Sequence, residues 1–440
     1  MKPPARRLAG TFLAGAGSRL LPASLPWRFF GAAVAFHTLA WLALLAGAGD
    51  WPHWQGGLGW PLAALHLITL GTLLSSAIGA SLQLLPVATR QPVRSHRLMA
   101  ALWWAYVPGV ALLALGMGRA EPNWVAAGAA AVLGALAVFG VLLGLNLRGA
   151  RGMPGVVLHG WGALAALALL GASAVALVAL WLGRPLLDAV VARGLHLLAA
   201  AFGVMGLLVF GLSYILLPMF ALAPVPDERR QLASGTAALA AIGLAIAAAF
   251  GAAPTALRLA AIAAGTLALA LHLQLMRQTL AGGMRRELGR ALVLMRIGWA
   301  SLALALALAL ALVLGAPAAT FGRLFGIAVI AGWLLSFLFG VLQRILPFLA
   351  SMHAARGQKR PPTPSALTLD RPLAWHLACH CTALVLLAAS TLSTVPALAR
   401  GLAAAAALAG LAGALCFGTF FAVLLRRLQR SREGGNPSPS

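Results

Sequence analysis

Twelve separate stretches of this 440-residue chain are each apolar over the length of a membrane-crossing helix, and nothing else in it constrains the fold as much. A bilayer's hydrocarbon core takes about 20 residues of helix, and backbone polar groups inside it must be paired within the segment, as a helix pairs them. The runs lie near residues 27–48, 61–88, 97–118, 123–147, 156–183, 192–222, 232–252, 257–276, 290–314, 318–350, 371–394 and 397–425. The expected fold is therefore all-α, a polytopic membrane protein of twelve transmembrane helices. Its composition agrees, since 61% of residues are hydrophobic and only 9% are charged, a balance that excludes a soluble domain.

The formal charge of +24 would suit a nucleic-acid partner if it were spread over one surface. It is not. Lys2, Arg6, Arg7 and Arg19, then Arg90, Arg94 and Arg97, Arg148 and Arg151, Arg229 and Arg230, Arg277, Arg285 and Arg286, Arg356, Lys359 and Arg360, and Arg426, Arg427, Arg430 and Arg432 fall on alternate loops. By the positive-inside rule those loops and both termini are expected in the cytoplasm, so the charge reads as topology in a lipid bilayer, with no nucleic acid. The chain divides into a cytoplasmic segment, 1–26, a twelve-helix domain, 27–425, and a disordered cytoplasmic tail, 426–440. Pro3, Pro4, Pro22 and Pro26 break up the first segment, so the first helix is expected to be its own insertion signal. Cys379, Cys381 and Cys416 all lie inside helices, which implies no disulfide framework. A bacterial cytoplasmic membrane is the expected home.

Three of the twelve runs repeat one pattern. LHLITLGTLLSSAIGASLQLLPV holds His66, Gly79 and Pro86; the second copy holds His196, Gly211 and Pro218; the third holds Gly340 and Pro347 and has no histidine. The prolines are 132 and 129 residues apart, so a block of four helices is used three times. His66 and His196 precede their prolines by 20 and 22 residues and should lie at one depth, roughly 5–10 Å below the outer face at 1.5 Å per residue. The prolines should share the inner face.

All eight acidic residues fall in loops or at helix ends, whereas cation-coupled transporters usually bury a carboxylate. Histidines supply the remaining chemistry. His53, His96 and His353 lie in loops or at interfaces, where a solvated imidazole is expected. His37, His159 and His272 lie inside helices without an assigned role. His66 and His196 are candidate ligands of a cofactor, with Gly71 one turn below His66 leaving space for a flat macrocycle. His376, Cys379 and His380 share one face at i, i+3, i+4 spacing, a set that would suit copper or zinc.

Twelve helices, cytoplasmic termini, a threefold repeat of four and a histidine near the outer end of helix two together resemble subunit I of the haem-copper oxidases and, in its wider circle, the NnrS-type membrane proteins. That resemblance implies His66 as an axial haem ligand and His196 at the position of a copper ligand. Helix ten of the oxidases supplies two haem-ligating histidines where 318–350 has none, and Ala200 stands where they have a helix-six tyrosine. The full oxygen-reducing site is therefore not expected. His66, Gly71, Pro86 and Arg90 match the NnrS-like pattern, while Leu67 and Ala64 depart from it. The resemblance implies a haem-binding protein of respiratory or nitrogen-oxide metabolism with respiratory-chain partners. A carrier or channel for a neutral solute and a cofactor-free assembly scaffold for a respiratory complex stay open, as does whether any reaction is catalysed.

Overall fold

A computed structural model describes residues 21–92, 95–251, 253–285, 287–355 and 361–433, the last three by backbone alone. Within them the chain forms α1 (Ser24–Ala46), α2 (Trp60–Ala88), α3 (His96–Gly118), α4 (Pro122–Arg148), α5 (Pro154–Trp181), α6 (Ala189–Ala221), α7 (Glu228–Phe250), α8 (Pro254–Ala281), α9 (Arg290–Val313), α10 (Ala318–Ala354), α11 (Asp370–Leu392) and α12 (Pro396–Glu433). All twelve are long and apolar enough to span a membrane. Lys2, Arg6, Arg7, Arg19, Arg94, Arg286, Arg356, Lys359 and Arg360 lie outside the described residues, as does 434–440. The tail expected from 426 is helical as far as Glu433, because no proline or glycine interrupts the basic stretch after Leu425.

Local chemistry sets the helix starts. Pro122, Pro154, Pro254 and Pro396 occupy first helical positions, where a missing N–H costs nothing. Asp188 accepts the backbone N–H groups of Val190 and Val191 at 2.9 and 3.0 Å, and Asp227 accepts that of Arg230 at 2.9 Å. These carboxylates cap helices.

Three helices form the centre. Within their most apolar windows α2, α6 and α10 bury 72%, 67% and 61%, and no other helix exceeds 50%. Around them the chain closes in equivalent steps: α3 pairs with α4, α7 with α8 and α11 with α12, while α1, α5 and α9 pack along α2, α6 and α10. Glycines seal those last three seams. Gly71, Gly203 and Gly332 each stand 15 residues before the repeat proline, and a Cβ on them would collide with Phe36 of α1, Ala166 of α5 and Ser301 of α9. Eight residues on, Gly79, Gly211 and Gly340 lie against Phe29, His159 and Ala291 of the same three neighbours. Pro86, Pro218 and Pro347 sit in the C-terminal parts of helices that run in one direction, on one face of the bundle, as the repeat requires.

The central helices also share a feature that the sequence pattern did not show. Leu67–Leu74, Leu198–Gly206 and Ala328–Leu335 are wound as π-helix, and each segment ends 12 residues before its proline. A π-turn bonds i to i+5 and is frequent at functional sites. Here hydroxyls reinforce it: Thr72 donates to the Leu67 carbonyl at 3.2 Å, Ser75 to Leu70 at 3.3 Å and Ser336 to Ala331 at 3.1 Å, all five residues back. Tyr106 of α3 donates to the Leu70 carbonyl at 2.9 Å. The segment in α10 packs against those in α2 and α6, so the three meet at the middle of the molecule.

Candidate functional site

His66 stands one residue before the π-segment of α2, and His196 two residues before that of α6. Both are half-buried, six and seven residues from the starts of their helices, which is roughly 9–10 Å of helical rise. Their ring centroids lie 6.2 Å apart with planes 32° from parallel. The expected common depth is realised as a pair.

The tautomer of His66 follows from its partner. Its Nδ1 lies 3.1 Å from the Leu62 carbonyl oxygen, which only accepts, so Nδ1 carries the proton and Nε2 keeps a lone pair. His196 is held through the same nitrogen, with Nδ1 3.5 Å from Ser173 Oγ of α5. Ser173 gives its own hydrogen to the Leu170 carbonyl at 3.0 Å, which leaves its oxygen to accept from His196. Tying down the far ring nitrogen in this way is how metal-binding imidazoles are oriented. Two imidazoles on opposite sides of one metal, with bonds of about 2.0 Å each, have centroids about 6 Å apart. The 6.2 Å between the two ring centroids is close to that spacing.

The glycines do not form its cradle. A Cβ on Gly71 would lie 2.6 Å from Phe36 Cβ, so the space expected for a macrocycle is filled by α1, and the same holds at Gly203 with Ala166. Gly71 serves helix packing. Phe325 of α10 takes the register of His196, 22 residues before the repeat proline, and stacks on Phe202 at 6.3 Å. The third copy thus carries a phenyl ring where the second carries an imidazole.

His376 and His380 stack with ring centroids 6.0 Å apart, and Cys379 does not join them. His380 Nε2 lies 2.7 Å from Ser336 Oγ, and His376 lies over Phe339 at 4.6 Å. Cys379 turns toward α12, its Cβ 3.0 Å from where a Cβ on Gly413 would be. Among the described residues no three His, Cys, Asp or Glu side chains stand together as metal ligands. The shared face of a helix is about 100° wide, enough for its edges to serve different neighbours.

The unassigned histidines join two buried aromatic clusters. His37 lies on the other side of Phe339 from His376, at 4.6 Å, and accepts Trp41 Nε1–H at 3.3 Å. His272 stacks on Phe210 at 4.0 Å, with Nδ1 3.3 Å from Tyr214 Oη, and His159 bonds the Gly155 carbonyl at 2.7 Å. Phe210 and Phe339 both stand eight residues before their prolines, so the clusters are repeat-related. His353 departs from expectation. It is buried in the last turn of α10, with Nδ1 2.8 Å from the Leu349 carbonyl and Nε2 3.3 Å from that of Leu21, because α10 runs beyond 350 and carries it under the N-terminal strand of chain. His53 and His96 are exposed, as expected.

No family model matches this sequence, and no curated protein matches it either.

Proposed function

We propose that this membrane protein holds one metal centre between His66 and His196, that the metal is haem iron, as the resemblance to haem-copper oxidase subunit I implies, and that it serves respiratory or nitrogen-oxide metabolism in a bacterial cytoplasmic membrane with both termini cytoplasmic. The observation that carries this reading is the imidazole pair at 6.2 Å. His66 and His196 would hold the haem, which when bound would supply one-electron transfer. The protein's part is to fix orientation and dielectric. Leu62 and Ser173 hold the two Nδ1 atoms, and the rings of Phe202 and Trp333, 5.6 Å apart, lie one to two turns deeper and keep that level apolar.

Copper is the second reading, favoured by the close approach of Phe36 to Gly71, since a bare ion needs no flat slot. An optical spectrum and a metal analysis of protein purified from haem-replete cells separate the two. A Soret band with one iron per chain supports haem; copper without a Soret band supports the ion. Neither metal would reject the centre and leave a neutral-solute carrier or an assembly scaffold.

A further inference from the structure

An opening lies at the other end of α2 and α6, on the arginine-rich face. It is a cavity of about 540 Å³ between the first and second four-helix blocks. Its two walls carry opposite charge. One wall is built by the end of α2 and the loop into α5, which the Arg151 N–H ties to the Thr89 carbonyl at 3.1 Å, and it presents Arg90 and Arg151. The other is built by the start of α7 and the end of α8, and it presents Asp227, Glu228, Gln278 and Thr279.

Neither Arg90 nor Arg151 has an ion pair among the described residues, where the one salt bridge joins Arg290 to Asp370. Arg90 holds a left-handed backbone at φ +57, and so does Met153 beside Arg151, a conformation that L-residues adopt at a cost and that clusters at binding sites. Thr279 Oγ1 is buried, with the residue 5% exposed, and has no hydrogen-bond partner. A buried hydroxyl without a partner in the wall of a cavity points to a ligand that supplies one. On the same wall Asp227 and Glu228 both carry charge that attracts a cation; Asp227 accepts the Arg230 N–H with Oδ1 and keeps Oδ2, while Gln278 Oε1 accepts from the Arg230 guanidinium at 3.4 Å.

We propose that this cavity binds a phosphoethanolamine group, with the phosphate on Arg90 and Arg151 and the primary ammonium on the wall of Glu228, Gln278 and Thr279. A bare phosphate would have to tolerate the two carboxylates, and a simple cation the two guanidiniums; a zwitterion satisfies both walls. Paired guanidiniums suit phosphate oxygens, and an ammonium donates to carboxylate, amide and hydroxyl oxygens. A phospholipid headgroup and a soluble ester share this chemistry.

The test is native mass spectrometry of the full chain in detergent with phosphatidylethanolamine, phosphatidylglycerol or phosphatidylcholine, with and without millimolar free phosphoethanolamine. Phosphatidylethanolamine should be retained about tenfold better than the other two, because one lacks the ammonium and the other its N–H donors. Displacement by the free ester identifies a soluble ligand; resistance to it identifies the lipid. Arg90→Asn, which suits a left-handed backbone, combined with Arg151→Gln should lower retention about tenfold while the lipid-free melting temperature stays unchanged. Glu228→Gln should erase the preference over phosphatidylglycerol. Equal retention of phosphatidylglycerol by the wild type, or undiminished retention of phosphatidylethanolamine by the double variant, overturns the proposal.

Discussion

A Cβ added to Gly71 of α2 would lie 2.6 Å from the Cβ of Phe36 on α1, closer than two such carbons can stand. Because Phe36 Cβ is fixed to its own backbone, α1 and α2 would have to separate. Gly71→Ala should destabilise the protein by about 1–3 kcal/mol, the usual range for overpacking. Gly203→Ala should behave alike against Ala166. At Gly134 nothing lies within 4 Å, so Gly134→Ala should leave the melting temperature unchanged or raise it. Thermal unfolding in detergent, followed by tryptophan fluorescence, ranks the three.

The histidines separate by what each one holds. His66→Ala or His196→Ala should remove or shift the absorbance of a bound metal centre, since each deletes one Nε2 donor. His353→Ala should leave that absorbance intact and lower stability by about 1–3 kcal/mol, because it strips a buried partner from the Leu349 and Leu21 carbonyls. Full metal content in both His66→Ala and His196→Ala would refute the pair as ligands.

Tyr106→Phe tests the π-segment. The hydroxyl reaches the Leu70 carbonyl from a neighbouring helix at 2.9 Å. Its loss should cost about 1 kcal/mol and speed amide exchange within 67–75 more than in the rest of α2. Uniform exchange along α2 would show that the π-segment does not depend on this bond.

Cys379→Ser should leave metal content as it is in the wild type. Its side chain turns to α12 near Gly413 and away from the His380–Ser336 bond. Metal lost with Cys379 but kept without His66 would reverse the assignment of the site.

Much of this was legible in the sequence, and the physical reason is that a bilayer reads length and polarity. Twelve apolar runs became twelve helices long and apolar enough to span, most with ends within about five residues of expectation and α12 running eight further, and offsets of 20 and 22 residues from Pro86 and Pro218 did bring His66 and His196 to one level. Offsets along a helix do not fix which neighbour a face meets. Hence Gly71 was open to two readings until Phe36 filled the space, and Cys379 parted from His376 and His380 although all share one face. The π-segments left only an indirect trace, in Thr72, Ser75 and Ser336, each able to bond a carbonyl five residues back as well as four. His353 seemed exposed because α10 outruns its apolar stretch.

At the level of the paired imidazoles the three repeats part company: two contribute histidine, the third Phe325. Three identical subunits would be bound to present three imidazoles or none, and neither arrangement gives two imidazoles and one phenyl ring. Joining the units in one polypeptide frees each copy to mutate alone. The covalent linkage is thus what allows a scaffold repeated three times to carry a pair of histidines.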